Sequence, residues 1–146
     1  MKRELQELNQ NLHGQLKVAP NAVVSQAAQQ HMIGLKISEV GQALAEFPVF
    51  FTKLEEAAAQ GRPPWSISAI TSLEPNKNLF VHEEQWDACY TPSAMRTYPM
   101  HLMSAGEGKE GYSVGIDPQS NAFTEGEGHD LFDEDGKATV YLSRVT

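Results

Sequence analysis

Residues with the potential for chemistry cluster in one short stretch, NLFVHEEQWDACYTPSAMRTYPM, which runs from Asn78 to Met100. It contains His82 beside two acids, the chain's single cysteine, and one arginine among aromatic residues. Such groups can move protons, attack an electrophile or bind a metal ion. Each of these chemistries needs particular neighbours at particular spacings, so each can be tested against the sequence.

Nucleophilic catalysis requires a thiolate or an alkoxide next to a base. Cys89 follows Asp87 by two residues, and a nearby carboxylate disfavours the reactive thiolate. The G-x-S-x-G motif of many serine hydrolases does not occur in the sequence. We therefore interpret Cys89 as a structural cysteine that is buried or half-buried.

Many metal hydrolases carry two histidines four residues apart with a glutamate between them, and this sequence has no such pair. His82, His101 and His129 are far apart along the chain. We interpret them as solvated side chains or as side chains with a single hydrogen bond. An enzyme built on His82, Glu83, Asp87 and His101 stays open as an alternative.

The acidic run HDLFDEDGKATV fits part of a calcium-binding EF-hand loop, with Asp133, Asp135 and Gly136 at its third, fifth and sixth positions. The EF-hand also requires an acid where Leu131 stands and a bidentate glutamate where Leu142 stands, so an EF-hand is excluded. We interpret DEDG as a turn before a final strand, because Asp and Gly favour turns. A looser divalent-metal site remains an alternative, built from Glu125, Glu127, Asp130, Asp133 and Asp135.

The end of the opening stretch predicts a short helix. Thr91 is suited to cap it, Pro92 to begin it and Pro99 to end it. Aromatic side chains around it would hold it against a sheet, with Arg96 and Asp87 as partners for their polar atoms. We assign no catalytic or metal-binding residue, and the residues that we expect to bind a ligand or partner are Trp86, Tyr90, Arg96 and Tyr98.

Composition limits the class of protein. The 146 residues, 40% of them apolar, are enough for one domain with its own core. Eleven basic residues against 19 acidic ones give a net charge of −8, which disfavours a nucleic-acid partner. A single cysteine excludes disulfide scaffolds and zinc ribbons. No apolar run reaches the ~20 residues that span a membrane, and the polar start does not fit a signal peptide, so we expect a cytoplasmic protein.

Helical patterns dominate residues 1–47. Residues 5–12 form a short amphipathic pattern, residues 21–32 an Ala- and Gln-rich segment, and residues 38–47 a better-marked helix that Pro48 ends. These patterns predict three helices before the first strand.

After Pro48 the apolar period changes to two, which predicts strands. In the second predicted strand, apolar residues alternate with serines such as Ser68 and Ser72, which predicts one buried and one solvent-facing side. Short connections favour antiparallel pairing. We therefore predict a single α+β domain over residues 1–146, with N-terminal helices packed on a mostly antiparallel sheet of about five or six strands and a mobile loop around residues 117–130. The predicted strands are Val49–Leu54, Trp65–Leu73, Asn78–Val81, Met100–Ala105, Tyr112–Ile116 and Ala138–Leu142.

Several of these segments together resemble the SapC family of bacterial proteins. The similar segments are LNQNLHGQL, EFPVFFTK, ITSLEPNKNLFVHEEQWDACYTPSAMRTYPMHL, YSVGID and LFDEDG, in that order along nearly the whole chain. The central block of the family follows an ENLFVD, W, YVP and RRYPF pattern. The residues that fit it here are Asn78, Leu79, Phe80, Val81, Trp86, Tyr90, Pro92, Arg96, Tyr98 and Pro99.

The chain departs from the family pattern at three positions of this block. His82 stands where Asp is usual, Thr97 where a second Arg is common, and Met100 where an aromatic residue is common. Family members usually continue past the LFDEDG-like motif into a C-terminal helical segment, and we expect this chain to lack it.

The resemblance implies a role more than a reaction. The family is named for S-layer protein transport, and members occur beside TonB-dependent receptors and flavin-dependent halogenase-like proteins. We therefore expect a non-enzymatic binding or accessory protein of envelope transport, with a transport protein, a peptide or a small molecule as partner and with no cofactor. The alternative is a metal-dependent or small-molecule-modifying enzyme that uses residues 82–101 or 125–135. A homo-oligomer closed by apolar residues is compatible with either.

Overall fold

The computed structural model describes residues 5–55, 59, 61, 63–104 and 111–146. They form a mixed α+β structure in which every strand pair is antiparallel, as predicted. The chain divides into a terminal unit, Met1–Val23 with Thr97–Thr146, and a central unit, Val24–Arg96. The helices are α1 Gln10–His13, α2 Ala22–Ala28, a 3₁₀ turn Ile37–Glu39, α3 Val40–Ala43, α4 Ser93–Arg96 and α5 Val140–Val145. The strands are β1 Gln6–Glu7, β2 Lys17–Val18, β3 Met32–Leu35, β4 Val49–Lys53, β5 Trp65–Ile70, β6 Val81–His82, β7 Gln85–Trp86, β8 His101–Ser104, β9 Tyr112–Ile116, β10 Phe123–Thr124 and β11 His129–Asp130.

The strands belong to four small sheets, so the predicted single sheet of five or six strands is wrong. The terminal unit holds the orders β1-β9-β8 and β10-β2-β11, and the central unit holds β3-β5-β4 and the hairpin β6-β7. Turn-forming residues cut the apolar alternation into short pieces, and several strands are only two residues long. Strands of this length pair with one or two neighbouring strands and do not extend into a sheet of five or six.

The terminal unit is organised around an aliphatic core. Ile116 and Leu131 are fully buried, Val18 is almost so, and Leu142 of α5 packs against them. Gly128 allows the close approach of β2 at one side of this core, because a Cβ there would lie 2.5 Å from the Val18 carbonyl oxygen. Burial of large aliphatic side chains is the main stabilising contribution in this unit.

The last predicted strand, Ala138–Leu142, is wrong, because a helix begins at Val140. Thr139 caps this helix: its Oγ1 accepts a hydrogen bond from the Leu142 amide at 3.2 Å. The turn predicted for DEDG is confirmed, with Gly136 at a φ of +77°, a conformation that glycine adopts at little cost. The turn and the capping threonine therefore favour a helix here, although the β-branched residues Thr139 and Val140 predict a strand.

The helical segments are shorter than the sequence predicts. Residues 5–12 contain β1 as well as α1, the second helix ends at Ala28, and the third begins as a 3₁₀ turn. Met32, the last residue of the second predicted helix, begins β3, which pairs with β5. The segment expected to be a mobile loop, residues 117–130, contains β10 and β11, and both pair with β2.

The main sheet of the central unit has two faces of different character. One face presents Ile33 and Ala69, both buried, to an aromatic cluster. The cluster is formed by Phe47, Phe80 and Trp86, with ring centroids 4.7 to 6.0 Å apart. The serines were expected to face solvent, but Ser68 and Ser72 are buried, and Trp65 is 59% exposed. The alternation therefore predicts the strand and its covered apolar face at Ala69 correctly, but Ser68 on the opposite face is buried as well.

Candidate functional site

The structure brings Trp86 and Tyr90 together in the central unit. The Trp86 ring is half-buried in the aromatic cluster, and its Nε1–H donates to the Tyr90 carbonyl oxygen at 3.1 Å. The Tyr90 hydroxyl donates to Glu39 Oε1 at 2.8 Å. Burial and the adjacent Glu39 carboxylate raise the pKa of Tyr90 above its usual value. Both side chains therefore have structural contacts that hold the segment in place.

The other two residues expected to bind a partner belong to different units of the chain. Arg96 is exposed at the last residue of α4. Tyr98 belongs to the terminal unit, where its hydroxyl lies 3.4 Å from the Ser120 Oγ. Arg96 and Asp87 were expected as partners for the aromatic polar atoms. The charge of Arg96 does act on Tyr90, where it opposes the rise in the pKa. The hydrogen-bond partners of these atoms include Glu39, Ser120 and the backbone.

A buried carboxylate, Glu39, organises the central unit and was missed by the sequence analysis. The side chain is 5% exposed. Its oxygens accept hydrogen bonds from the Ser93 amide at 2.8 Å, the Ser93 hydroxyl, the Tyr90 hydroxyl and the Lys36 amide at 3.0 Å. Burial alone would raise the pKa of Glu39, but these donors outweigh it and lower the pKa to about 2. The carboxylate is therefore ionised at neutral pH and acts as an anchor rather than as a proton donor.

A second carboxylate, Glu46, holds the next part of the same segment. Its Oε1 accepts from the Cys89 amide at 2.8 Å and its Oε2 from the Tyr90 amide at 2.6 Å. These two backbone donors lower the pKa of Glu46. Cys89 itself is exposed, so the predicted burial of this cysteine is wrong; its backbone amide and its side chain both hydrogen-bond the Glu46 carboxylate.

The residues of the enzyme alternative are divided between the two units. His82 and Glu83 are exposed at the β6-β7 turn, where Glu83 and Glu84 have φ values of +47° and +60°. The Asp87 amide donates to the Phe80 carbonyl, which closes this hairpin. His101, the fourth residue of that alternative, lies on β8 in the terminal unit.

The acids of residues 125–135 take part in local contacts. Asp130 forms an ion pair with Lys17 at 3.2 Å, and Asp135 forms one with Lys137 at 3.6 Å. The Asp133 carboxylate accepts from the amides of Asp135 and Lys137, which stabilises the turn. Within the described ranges, interrupted at 56–58, 60, 62 and 105–110, no group of three or more His, Cys, Asp or Glu side chains is placed to hold a metal ion.

An open cavity of about 450 Å³ lies in the central unit, on the face of the main sheet opposite the aromatic cluster. Two backbone connections shape it, since the His31 carbonyl accepts from the amides of Thr71 and Ser72. Thr71 Oγ1 also donates to the Gln30 carbonyl at 2.6 Å, which fixes the same loop. The lining residues are His31, Met32, Pro48, Phe50, Ile70, Ser72 and Leu73.

The lining of this cavity is mostly apolar, and its polar side chains are those of His31 and Ser72. Five of its seven lining residues are apolar, and none of the seven is acidic. Ser72 Oγ accepts the Glu74 amide at 3.0 Å and keeps its O–H as a donor, so the hydroxyl of Ser72 and the imidazole of His31 are the polar side-chain groups of the lining. The volume lies within the roughly 300–1,000 Å³ that small-molecule sites occupy. Nothing in the sequence analysis singled out this group, because its members come from three separate strands and their loops.

The fold and the cavity define an α+β protein with an apolar cavity on its main sheet. A sequence profile of the SapC family matches residues 8–146, nearly the whole chain, and the chain therefore belongs to the SapC family. The resemblance drawn from the motifs is thereby confirmed. No curated protein and no solved structure shows a significant match. No helix in the part of the chain that the structure describes is long and apolar enough to cross a membrane.

Proposed function

We propose that this chain is a non-enzymatic binding protein of the cytoplasm that serves envelope transport, with an S-layer or other envelope protein, a peptide or a small molecule as its cargo or partner. The observation that carries the proposal is the apolar cavity of about 450 Å³ on the main sheet. Membership of the SapC family supports the link to transport. Trp86, Tyr90, Arg96 and Tyr98 remain in the proposal as residues that contact a ligand or transport partner.

The structural use of the acids favours binding over catalysis. Glu39 and Glu46 are each held by backbone or hydroxyl donors that stabilise the ionised form, and a general acid or base needs a pKa near the working pH. The cavity contains no acid that might activate a nucleophile or bind a cation. Its apolar walls are suited to an apolar ligand, or to an apolar side chain of a peptide, with a hydrogen bond to His31 or Ser72.

The cavity can be tested with a fluorescent anilinonaphthalene sulfonate dye, whose emission rises when it enters an apolar site. We expect the wild-type chain to bind the dye, and we expect Met32→Glu to weaken binding at least about tenfold, since the variant places an unpaired charge at the cavity wall. Met32 is 40% exposed, so this substitution should leave the fold intact. Leu102→Glu, at an exposed residue of β8, is the matched control and should bind normally.

Equal dye binding by wild type and Met32→Glu would reject the cavity as the binding site. The transport role is tested separately by capture from the native cell with the wild-type chain and with Arg96→Ala. Recovery of an envelope or transport protein that Arg96→Ala loses would support the role of that surface. Recovery of no such partner by the wild-type chain would contradict the transport proposal, and fractionation of the same cells tests the cytoplasmic location.

A further inference from the structure

The cavity covers only part of its face of the main sheet. Side chains on one face of a strand occur at every second residue, so this face carries its side chains in rows across the three strands. The cavity lies over the first row and reaches the edge of the second at Phe50. The first row is Met32, Ile70 and Pro48, and the second is Gly34, Ser68 and Phe50.

Gly34 leaves a gap in the second row. It lies inside β3, and a Cβ built on it would meet nothing within 4 Å among the residues that the structure describes. Its φ lies outside the left-handed region, so the backbone does not require a glycine here. Glycine weakens the interior of a strand and often marks a place that a ligand approaches closely. The open space beside the cavity is therefore what this glycine provides.

The floor between the two rows is suited to an apolar chain. Ile70 forms its first part and lines the cavity. Ser68 forms the next part, and its Oγ lies 3.0 Å from the Thr52 Oγ1, so this hydroxyl is already paired within the sheet. Phe50, which is 58% exposed, supplies an apolar wall on the β4 side. A ligand that crosses this floor needs no polar group of its own there.

The polar groups of the cavity lie beyond the other side of the first row. The Ser72 amide donates to the His31 carbonyl at 3.3 Å, so the two polar side chains begin at neighbouring backbone positions. Ser72 keeps its O–H as a donor, and a neutral imidazole offers one donor and one acceptor. The lining residues that the structure describes include no acid, lysine or arginine, and the net charge of −8 disfavours an anion. An uncharged group that accepts hydrogen bonds is the best match.

We propose that the cavity and the gap at Gly34 together bind an elongated, uncharged apolar ligand that ends in a carbonyl group, such as that of an amide, an ester or a ketone. This inference rests on the proposed binding function of the cavity. The carbonyl accepts from Ser72 and His31, the chain crosses Ile70, and the far end of the chain fills the gap. Side chains on one face of a strand are ~6.8 Å apart, so the distance from Ser72 to the second row is on the order of 13 Å. Gly34 thereby sets the length of chain that the site accepts.

Titration calorimetry of the full chain with decanamide and with hexanamide tests the role of Gly34. We expect the wild type to bind decanamide at least about tenfold more tightly, because each further buried methylene strengthens binding. Gly34→Val should remove this preference by filling the gap. Gly41→Val is the matched control, since a Cβ at this glycine of α3 also meets nothing within 4 Å among the described residues, and it should keep the preference. No preference in the wild type, or an unchanged preference in Gly34→Val, would overturn the proposal.

Thermal unfolding distinguishes a filled gap from a damaged sheet. Valine is favoured in strands, so Gly34→Val should melt about 3 °C above the wild type when no ligand is present. A rise in melting temperature combined with loss of the preference for the longer chain would support the proposal. A lower melting temperature would show that the protein itself needs the space at Gly34, and the proposal would then be wrong.

The uncharged end group is tested with decanoate and decylamine, which carry a chain of the same length as decanamide. We expect both ions to bind the wild type at least about tenfold more weakly than decanamide, because the lining offers neither of them an opposite charge. Equal or tighter binding of either ion would contradict the assigned ligand class.

The dye experiment with Met32→Glu separates this inference from the function on which it rests. Dye binding that Met32→Glu loses, together with an unchanged chain-length preference in Gly34→Val, would keep the cavity as a binding site and overturn only the role of Gly34. Equal dye binding by the wild type and Met32→Glu would reject the cavity and this inference together.

Discussion

The two units of this chain are stabilised in different ways. The terminal unit buries a set of large aliphatic side chains around Ile116 and Leu131. The central unit buries Ile33, Phe47 and Met95, and it adds the ionised Glu39 with four hydrogen-bond donors. Polar anchoring is therefore added to apolar burial in the central unit.

The way in which the central unit is stabilised affects which of its surfaces are open to ligands and partners. Hydrogen bonds to Glu39 and Glu46 fix the segment 89–93 on the aromatic-cluster side of the main sheet. The opposite face of that sheet is left with the cavity, and its edge is left with Phe50 and Phe51 exposed. A unit that is held from one side by directional bonds can offer its other side to ligands and partners.

Truncation of the aromatic core should have the largest effect on stability. Phe47→Ala removes ring contacts with Phe80 and Trp86, and we expect the free energy of unfolding to fall by about 4 kcal/mol. Leu131→Ala in the terminal unit, at a fully buried position, should lower it by about 3 kcal/mol. Urea denaturation measures both. A loss below about 1 kcal/mol for Phe47→Ala would show that the aromatic cluster does not hold the central unit.

Removal of the buried charge should have the next largest effect. The lowering of the Glu39 pKa from 4.5 to about 2 corresponds to about 3 kcal/mol of stability at neutral pH. We expect Glu39→Gln to lose most of this, since an amide directs donors at Ser93 and Tyr90. Glu74→Gln, which removes an exposed ion pair with Lys77, is the control and should change stability by less than about 1 kcal/mol.

The Glu39 carboxylate determines the direction in which the free energy of unfolding changes with pH. Because the pKa of Glu39 is lower in the folded state, its contribution is present in full above the unfolded value of 4.5 and is lost as the pH falls toward about 2. Unfolding free energies measured from pH 6 to pH 2 should therefore decline in the wild type and decline less in Glu39→Gln. Parallel curves for the two proteins would show that another group causes the acid sensitivity.

The smallest expected effect concerns the β6-β7 turn. Glu83 and Glu84 both have positive φ, which favours Asn and Gly in a two-residue hairpin turn. Glu83→Asn should raise the free energy of unfolding by about 0.5 kcal/mol, through relief of backbone strain. Thermal unfolding measures this, and Glu55→Asn, at an exposed residue outside the turn, is the control. An unchanged or lower melting temperature for Glu83→Asn would contradict the strained-turn interpretation.

Local patterns predicted much of the secondary structure. The strands at Val49–Lys53, Trp65–Ile70 and Tyr112–Ile116 follow from period-two alternation, and the helix after Pro92 follows from its capping and proline signals. The pattern failed at Ala138–Leu142, where a capping threonine outweighs β-branched residues, and at Ser68 and Ser72, whose burial depends on the loops packed beside them.

The candidate site was less accessible to sequence reasoning. The residues of the opening stretch were found, but their partner Glu39 lies about fifty positions earlier, and no local signal marks a glutamate as buried. One indirect signal exists: Glu39 falls within an apolar helical pattern that begins at Ile37 and continues at Val40. The cavity gave no signal at all, since Met32, Phe50 and Ile70 look like ordinary strand residues until the sheet pairs them.

The sequence by itself determined the family, the mixture of helix and antiparallel strand, and the turns, because motif order, periodicity and the backbone preferences of Gly, Pro and Asp act over a few neighbouring residues. The tertiary structure alone decided which strands share a sheet, which side of the main sheet is covered, and which carboxylates become anchors. These outcomes depend on pairing between distant segments, and the free energy of burying Glu39 is favourable only when Lys36, Tyr90 and Ser93 all supply their donors at once.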